Sequence, residues 1–192
     1  QKDAMRFRRN IERIGEIFAY EISKKMTYKN NNITTPLGIS LESLIIEKPV
    51  LATILRAGLP LHQGLLNYFD SSENCFISAF REDKKGGDFE IKIEYISSPD
   101  LEGKTVILCD PMLASGNSMV LAMKALLSKG TPKHIHVVVT IASSEGIQYF
   151  IENLPFMSCT LWLGAEDKEM TAQSYIVPGL GDAGDLAFGK KK

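Results

Sequence analysis

The chain has no excess charge of either sign: 22 basic residues against 23 acidic ones leave a net charge of −1 over 192 residues. That balance gives no electrostatic reason to expect nucleic acid as a main partner. Cysteine is scarce. Cys75, Cys109 and Cys159 are odd in number, widely spaced and each set in an apolar run. That spacing excludes a disulfide framework and a zinc site, and predicts buried free thiols in a reducing compartment. No apolar run reaches the length of a bilayer span, and no secretory leader is visible, so a cytoplasmic protein is expected. Repeats and low-complexity tracts are also missing. Histidine is rare too: His134 and His136 sit in a strand pattern and read as structural, and His62 on a helix reads as packing. No side chain is an obvious general base. The chain opens at Gln1 without a Met, so its natural start is expected upstream.

What is present is a globular composition, 44% hydrophobic and 23% charged, at a length suited to one domain over 1–192. Residues 4–26 read as an amphipathic helix, with Phe7, Ile11, Ile14, Phe18 and Ile22 at steps of three and four. Asn30–Asn32 and Pro36–Gly38 are loop signals. Val50–Leu55 reads as a buried strand and 58–69 as a helix, with Pro60 in its first turn. Residues 75–80 form the next strand, Arg81–Gly87 a charged tip, and 89–96 an alternating half-buried strand. Together they predict a hairpin arm over about 75–98. Strands at 104–109, 134–142 and 159–163 alternate with helices at 119–129 and 145–153. Lys190–Lys192 reads as a solvated tail. The expected fold is α/β, a doubly wound, mostly parallel sheet with a β-hairpin arm.

The most informative stretch is 106–118. Val106 to Leu108 lead to a single carboxylate, Asp110, then to Ala114-Ser115-Gly116-Asn117-Ser118 and a helix. Strand, acid, small-residue loop and helix in that order build an anion site from backbone N–H groups and the positive end of a helix dipole. Gly116 permits close approach, and Ser115 and Ser118 add hydroxyls. Asp110 repels phosphate and suits sugar hydroxyls or a metal ion. The stretch carries neither a Walker Gly-Lys-Ser/Thr after its glycine nor a Gly-x-Gly-x-x-Gly. An ordinary βα turn with a Ser cap remains the plain alternative. Arg56 follows strand 50–55 on a tight turn before Gly58, a place for bidentate oxyanion binding or for simple helix capping. In Tyr175–Asp185, Pro178, Gly179, Gly181 and Gly184 are too dense for regular structure and predict a shaped loop with exposed backbone, or one whose aspartates cap turns.

Asp110-Pro-Met-Leu-Ala-Ser-Gly-Asn-Ser118, Ile54-Leu-Arg-Ala-Gly-Leu59 and Tyr175-Ile-Val-Pro-Gly-Leu-Gly-Asp-Ala-Gly-Asp185 together resemble the uracil phosphoribosyltransferases, type I phosphoribosyltransferases. The Arg6-Phe-Arg-Arg9 helix start also fits. The resemblance implies that uracil and phosphoribosyl pyrophosphate (PRPP) give uridine monophosphate (UMP) and pyrophosphate, with Mg²⁺. It implies PRPP binding by Arg56, Arg81, Asp110, Pro111, Met112, Leu113, Ala114, Ser115, Gly116, Asn117, Ser118 and Asp182. Uracil is expected against Ile176, Gly181, Asp182 and Ala183 in a base-binding region of about 174–189. Arg56, Arg81 and Asp182 are the expected catalytic residues, with Asp182 facing PRPP through Mg²⁺ or its waters. No side chain is directly assigned as a metal ligand.

The resemblance further implies a further N-terminal segment, an arm that closes over the site or packs on a partner, and a homodimer or homotetramer. Activation by GTP or another effector occurs in some relatives, and no motif here reads on it. Two departures stand out. Ser115-Gly-Asn-Ser118 replaces the family's Thr-Gly-Gly-Ser, so Asn117 is expected to bear on PRPP affinity if that position uses φ > 0. Leu186 replaces a frequent basic residue, removing one salt bridge. A regulator of pyrimidine genes that binds nucleotide and RNA is the competing expectation from another class. A phosphoribosyltransferase for another base is the third.

Overall fold

A computed structural model describes residues 3–83, 89–154 and 158–190, with side chains described outside 80–92. The elements follow the sequence pattern in order. Helix α1 (Ala4–Ser23) starts where Asp3 Oδ1 accepts the Arg6 amide N–H, and it buries Ile11, Phe18 and Ile22. Strands β1 (Tyr28–Thr35) and β2 (Gly38–Ile45) form an antiparallel hairpin. Then come β3 (Val50–Leu55), α2 (Leu59–Leu66), β4 (Asn74–Asp83), β5 (Phe89–Ser97), β6 (Thr105–Leu113) and α3 (Asn117–Leu127). The chain continues through β7 (His134–Ser143), α4 (Ser144–Glu152), β8 (Cys159–Asp167), β9 (Glu169–Met170), β10 (Ile176–Val177) and α5 (Ala183–Phe188).

Six strands form one sheet in the order β5-β4-β3-β6-β7-β8, parallel except for β5 at the edge. Leu51, Ile107, Cys109 and Val138 pack on one face with Ile11, Phe18 and Ile22 of α1 and Leu61 and Leu65 of α2. Val106, Leu108, Val137 and Val139 pack on the other with Met119, Met123 and Leu126 of α3 and Phe150 of α4. Helices on both faces explain why β3, β6 and β7 read as continuous apolar runs. The chain leaves β3 for β4 and β5 on one side, then returns to β6 on the other. The β3–β6 boundary is therefore the topological switch point, where open α/β sheets bind ligands beyond the strands' carboxyl ends.

Several sequence expectations need correction. Asn30–Asn32 lies inside β1, because a hairpin exposed along its length has no buried face to impose alternation; only Pro36 and Leu37 form the turn. Helix α1 ends at Ser23, short of 26, and α2 at Leu66, short of 69. Strand β6 runs on to Leu113 because it pairs with β7 as far as Leu113 opposite Ala142, so Asp110 lies within the strand. Strand β8 likewise extends to Asp167 opposite Ser143. The 175–185 region is not wholly irregular: β10 pairs with β9, and α5 begins at Ala183. The hairpin expected over about 75–98 shares its base with the sheet, since β4 pairs with β3 from Asn74 to Ser78 before a bulge at Ser78/Ala79. Most of its charged tip, 84–87, lies outside the described residues.

Candidate functional site

The segments singled out in the sequence meet at the switch point. A cleft of about 200 Å³ is lined by Arg56, Ala57, Asp110, Pro111, Met112, Ala114 and Ser118, and from the C-terminal region by Gly181, Asp182, Ala183 and Gly184. Ile54, Leu55, Ala79, Ser174 and Tyr175 complete its wall; Ser174 and Tyr175 fall in the expected base-binding region, whereas Ala79 lies outside the three motifs singled out in the sequence. Leu113 and Ile176 are core residues, 1% and 3% exposed, and neither lines the cleft. Arg81 pairs with Ile91 across the arm, and its side chain is not described.

The loop before α3 takes its shape from Gly116. That residue has φ 82°, in the left-handed region, and is the N-cap of α3. Asn117 and Ser118 are the first two residues of α3, not part of the loop before it. The condition on Asn117, a positive φ at that position, is not met: among described non-glycine residues only Ser174 has one, at 62°. The Asn117 amide Nδ2 donates to Ser115 Oγ at 3.4 Å.

Asp110 faces Asp182 across the cleft. Burial first, and the Asp182 charge second, push its carboxyl up to about 8. Asp182 has a structural task as well: its Oδ1 accepts the Asp185 N–H at 2.8 Å and caps α5. Asp182 therefore caps a helix, as one sequence alternative had it, and also borders the cleft.

Arg56 is held by groups that no sequence signal marked. Its Nη2 donates to Asp185 Oδ1 at 3.0 Å and to the Gly189 carbonyl at 2.5 Å, and Nη1 to the Phe188 carbonyl at 3.5 Å. Its Nε is buried with no partner. Asp185 is thus an ion-pair partner for Arg56, 129 positions away in the chain. The histidines stand apart from the cleft. His62 Nε2 lies 2.8 Å from Asn74 Oδ1, and His136 Nδ1 accepts Trp162 Nε1–H at 3.1 Å near the opposite end of the sheet. Among the described residues no cluster of three or more His, Cys, Asp or Glu could hold a metal by itself.

A family model described as uracil phosphoribosyltransferase matches residues 1–190. The chain is 58% identical over 191 residues to the uracil phosphoribosyltransferase of Porphyromonas gingivalis, covering 100% of this chain and 88% of that protein. It is 37% identical over 191 residues to the one from Methanothermobacter thermautotrophicus, covering 98% and 86%. Among solved structures, the AQ2163 protein from Aquifex aeolicus superposes with a TM-score of 0.87 at 28% identity, over 97% of this chain and 88% of that one. A hypoxanthine phosphoribosyltransferase from Staphylococcus aureus shares the fold at 13% identity, with a TM-score of 0.56 over 85% and 76% of the two chains.

Proposed function

The chain belongs to the uracil phosphoribosyltransferase family and is a phosphoribosyltransferase, and we propose that its cleft joins uracil to PRPP, giving UMP and pyrophosphate, through the residues gathered at the switch point. The observation that carries this reading is the meeting of Asp110, the N-terminus of α3, Arg56 and the Gly181–Ala183 backbone around one cleft. Each part answers one part of the substrates. The backbone of Ala114–Ser118 and the α3 dipole receive the 5′-phosphate. Asp110 accepts from the ribose hydroxyls. The Arg56 fork takes the pyrophosphate, with Arg81 as the second cation. The backbone of Ile176 and Gly181–Ala183 offers N–H and C=O groups to the pyrimidine edge.

No general base is required. The residues hold uracil in line with the anomeric carbon and neutralise the leaving pyrophosphate as charge builds on it. Phosphoribosyltransferases generally use Mg²⁺ with PRPP, and the site suits it: two carboxylates, Asp110 and Asp182, line the cleft, and burial first and the Asp182 charge second raise the proton affinity of Asp110. With no cluster of three ligands among the described residues, a metal would be held chiefly by PRPP oxygens, with Asp182 reached through water. Bound there, it would supply positive charge to the departing pyrophosphate.

The test is nucleotide formation from PRPP in Mg²⁺ with uracil, and with other bases as controls. UMP from uracil alone is expected. Product from another base only would reassign the substrate. Absence of any product despite PRPP binding would favour the RNA-binding regulator, which a net charge of −1 and relatives named as enzymes do not favour.

Two further proposals concern setting and assembly. No described helix is long and apolar enough to cross a membrane, and Cys75, Cys109 and Cys159 are free thiols, which supports a reducing, cytoplasmic setting. The β1–β2 hairpin presents Ile39 and Leu41 on one face and Leu37 at its tip, 75%, 66% and 100% exposed. Apolar surface of that kind on a projecting arm favours a homodimer or homotetramer over a monomer. Light scattering should give a mass of two or four chains. A double Ile39→Lys, Leu41→Lys variant should give a smaller one; a monomeric wild type would sink the idea.

A further inference from the structure

The phosphate loop is backed by the first turns of α4, on the side away from the cleft. Ser143, fully buried, donates its hydroxyl to the Ala114 carbonyl at 2.6 Å and accepts the Gly146 amide N–H at 2.8 Å. Gly146 is packed so closely that a Cβ there would overlap the Ala114 carbonyl oxygen and come within 2.7 Å of the Leu113 one. Behind Gly116, a Cβ would meet Tyr149 Cδ1 at 2.9 Å and the Gly146 carbonyl at 3.0 Å. None of Ser143, Gly146 and Tyr149 lines the cleft.

This packing has a directional consequence. In a planar trans peptide the C=O and the next residue's N–H point opposite ways. The Leu113 and Ala114 carbonyls face α4, so the N–H groups of Ala114 and Ser115 face away from it, as phosphate binding needs. A loop whose carbonyls were released could rotate those peptide planes and present oxygens to an anion.

We propose that Ser143 and Gly146, with the Tyr149 ring behind Gly116, are positioning residues that orient the phosphate-loop N–H groups toward the 5′-phosphate of PRPP. The proposal rests on the functional reading above. It takes the specificity of the loop for phosphate partly out of the 110–118 motif and into a helix nearly thirty residues further on.

The experiment compares wild type with Ser143→Ala and Tyr149→Ala, the latter a truncation of a half-buried side chain expected to fold. Four constants are measured in folded protein: KM for PRPP, KM for uracil, and the inhibition constants of ribose 5-phosphate and of pyrophosphate. Losing one carbonyl tether should raise KM for PRPP and the ribose 5-phosphate constant together, on the order of three- to tenfold. KM for uracil and the pyrophosphate constant should stay within about twofold. Gly146→Ala, which shifts the loop itself, should raise the same two constants by on the order of a hundredfold. A general distortion of the site would move all four constants together. That result, or four unchanged constants in Ser143→Ala and Tyr149→Ala, overturns the proposal. If wild type makes no UMP yet its ribose 5-phosphate affinity still depends on Ser143, the functional reading fails and the positioning role stands.

Discussion

Arg56→Ala should lower kcat by on the order of 10²–10³-fold while KM for uracil changes little. The guanidinium is the described cation at the cleft, and the leaving pyrophosphate gains charge as the ribosyl bond breaks. An interaction that strengthens along that coordinate appears in kcat. In the ligand-free protein the same guanidinium is engaged by Asp185 and by the Phe188 and Gly189 carbonyls, with Nε left unpaired. Pyrophosphate, more highly charged than one carboxylate, would compete for the fork. Arg56→Lys keeps the charge but loses the two parallel N–H donors, and should recover only part of the rate. Steady-state kinetics with PRPP and uracil varied in turn decides the matter. Unchanged turnover in Arg56→Ala would remove this residue from the mechanism.

The second large effect is protonic. Asp110, pushed up to about 8 by burial and then by Asp182, is mostly protonated at neutral pH in the free enzyme. Ribose hydroxyls donating to it, and a cation beside it, favour the ionised form. PRPP binding with Mg²⁺ should therefore release on the order of one proton per site near pH 7, and affinity should rise as pH climbs toward 8. Titration calorimetry in buffers of different ionisation enthalpy measures the release. Asp110→Asn should abolish it and weaken PRPP binding by on the order of 10- to 100-fold, through loss of hydrogen bonds to a charged acceptor. The same raised value bears on stability. A carboxyl whose folded pKa exceeds its unfolded one stabilises the fold most below the unfolded value, near 4, and that contribution is lost as pH rises through about 8. Ligand-free wild type should lose thermal stability between pH 5 and 9 relative to Asp110→Asn. Wild-type binding without proton release would show that Asp110 is already ionised or is not the ribose ligand.

Local pattern carried the parallel sheet, since Val50–Leu55 is apolar but for Thr53 and Val106–Cys109 is apolar throughout, as strands covered on both faces largely are. It also carried the order of elements and the small-residue turn at Ser115–Gly116. It failed at the β1–β2 hairpin, because a strand exposed on both faces leaves no alternation to read. It left the φ of Asn117 open, because which of two adjacent residues takes the positive φ depends on where α3 begins.

What the chain's own sequence determined was thus the material of the site: one carboxylate after a buried strand, a glycine that can turn left-handed, an arginine at a strand end and a glycine-rich C-terminal segment. Each is a short-range property of residue type and neighbours. Tertiary structure alone decided what those pieces do to one another. It buried Asp110 and set Asp182 against it, raising its proton affinity, tied Arg56 to Asp185 across 129 positions, and braced the Ala114 carbonyl with Ser143. Electrostatic coupling and peptide orientation depend on distances of a few ångströms between segments far apart in the chain, and such distances exist only once the sheet has closed its order around the β3–β6 switch point.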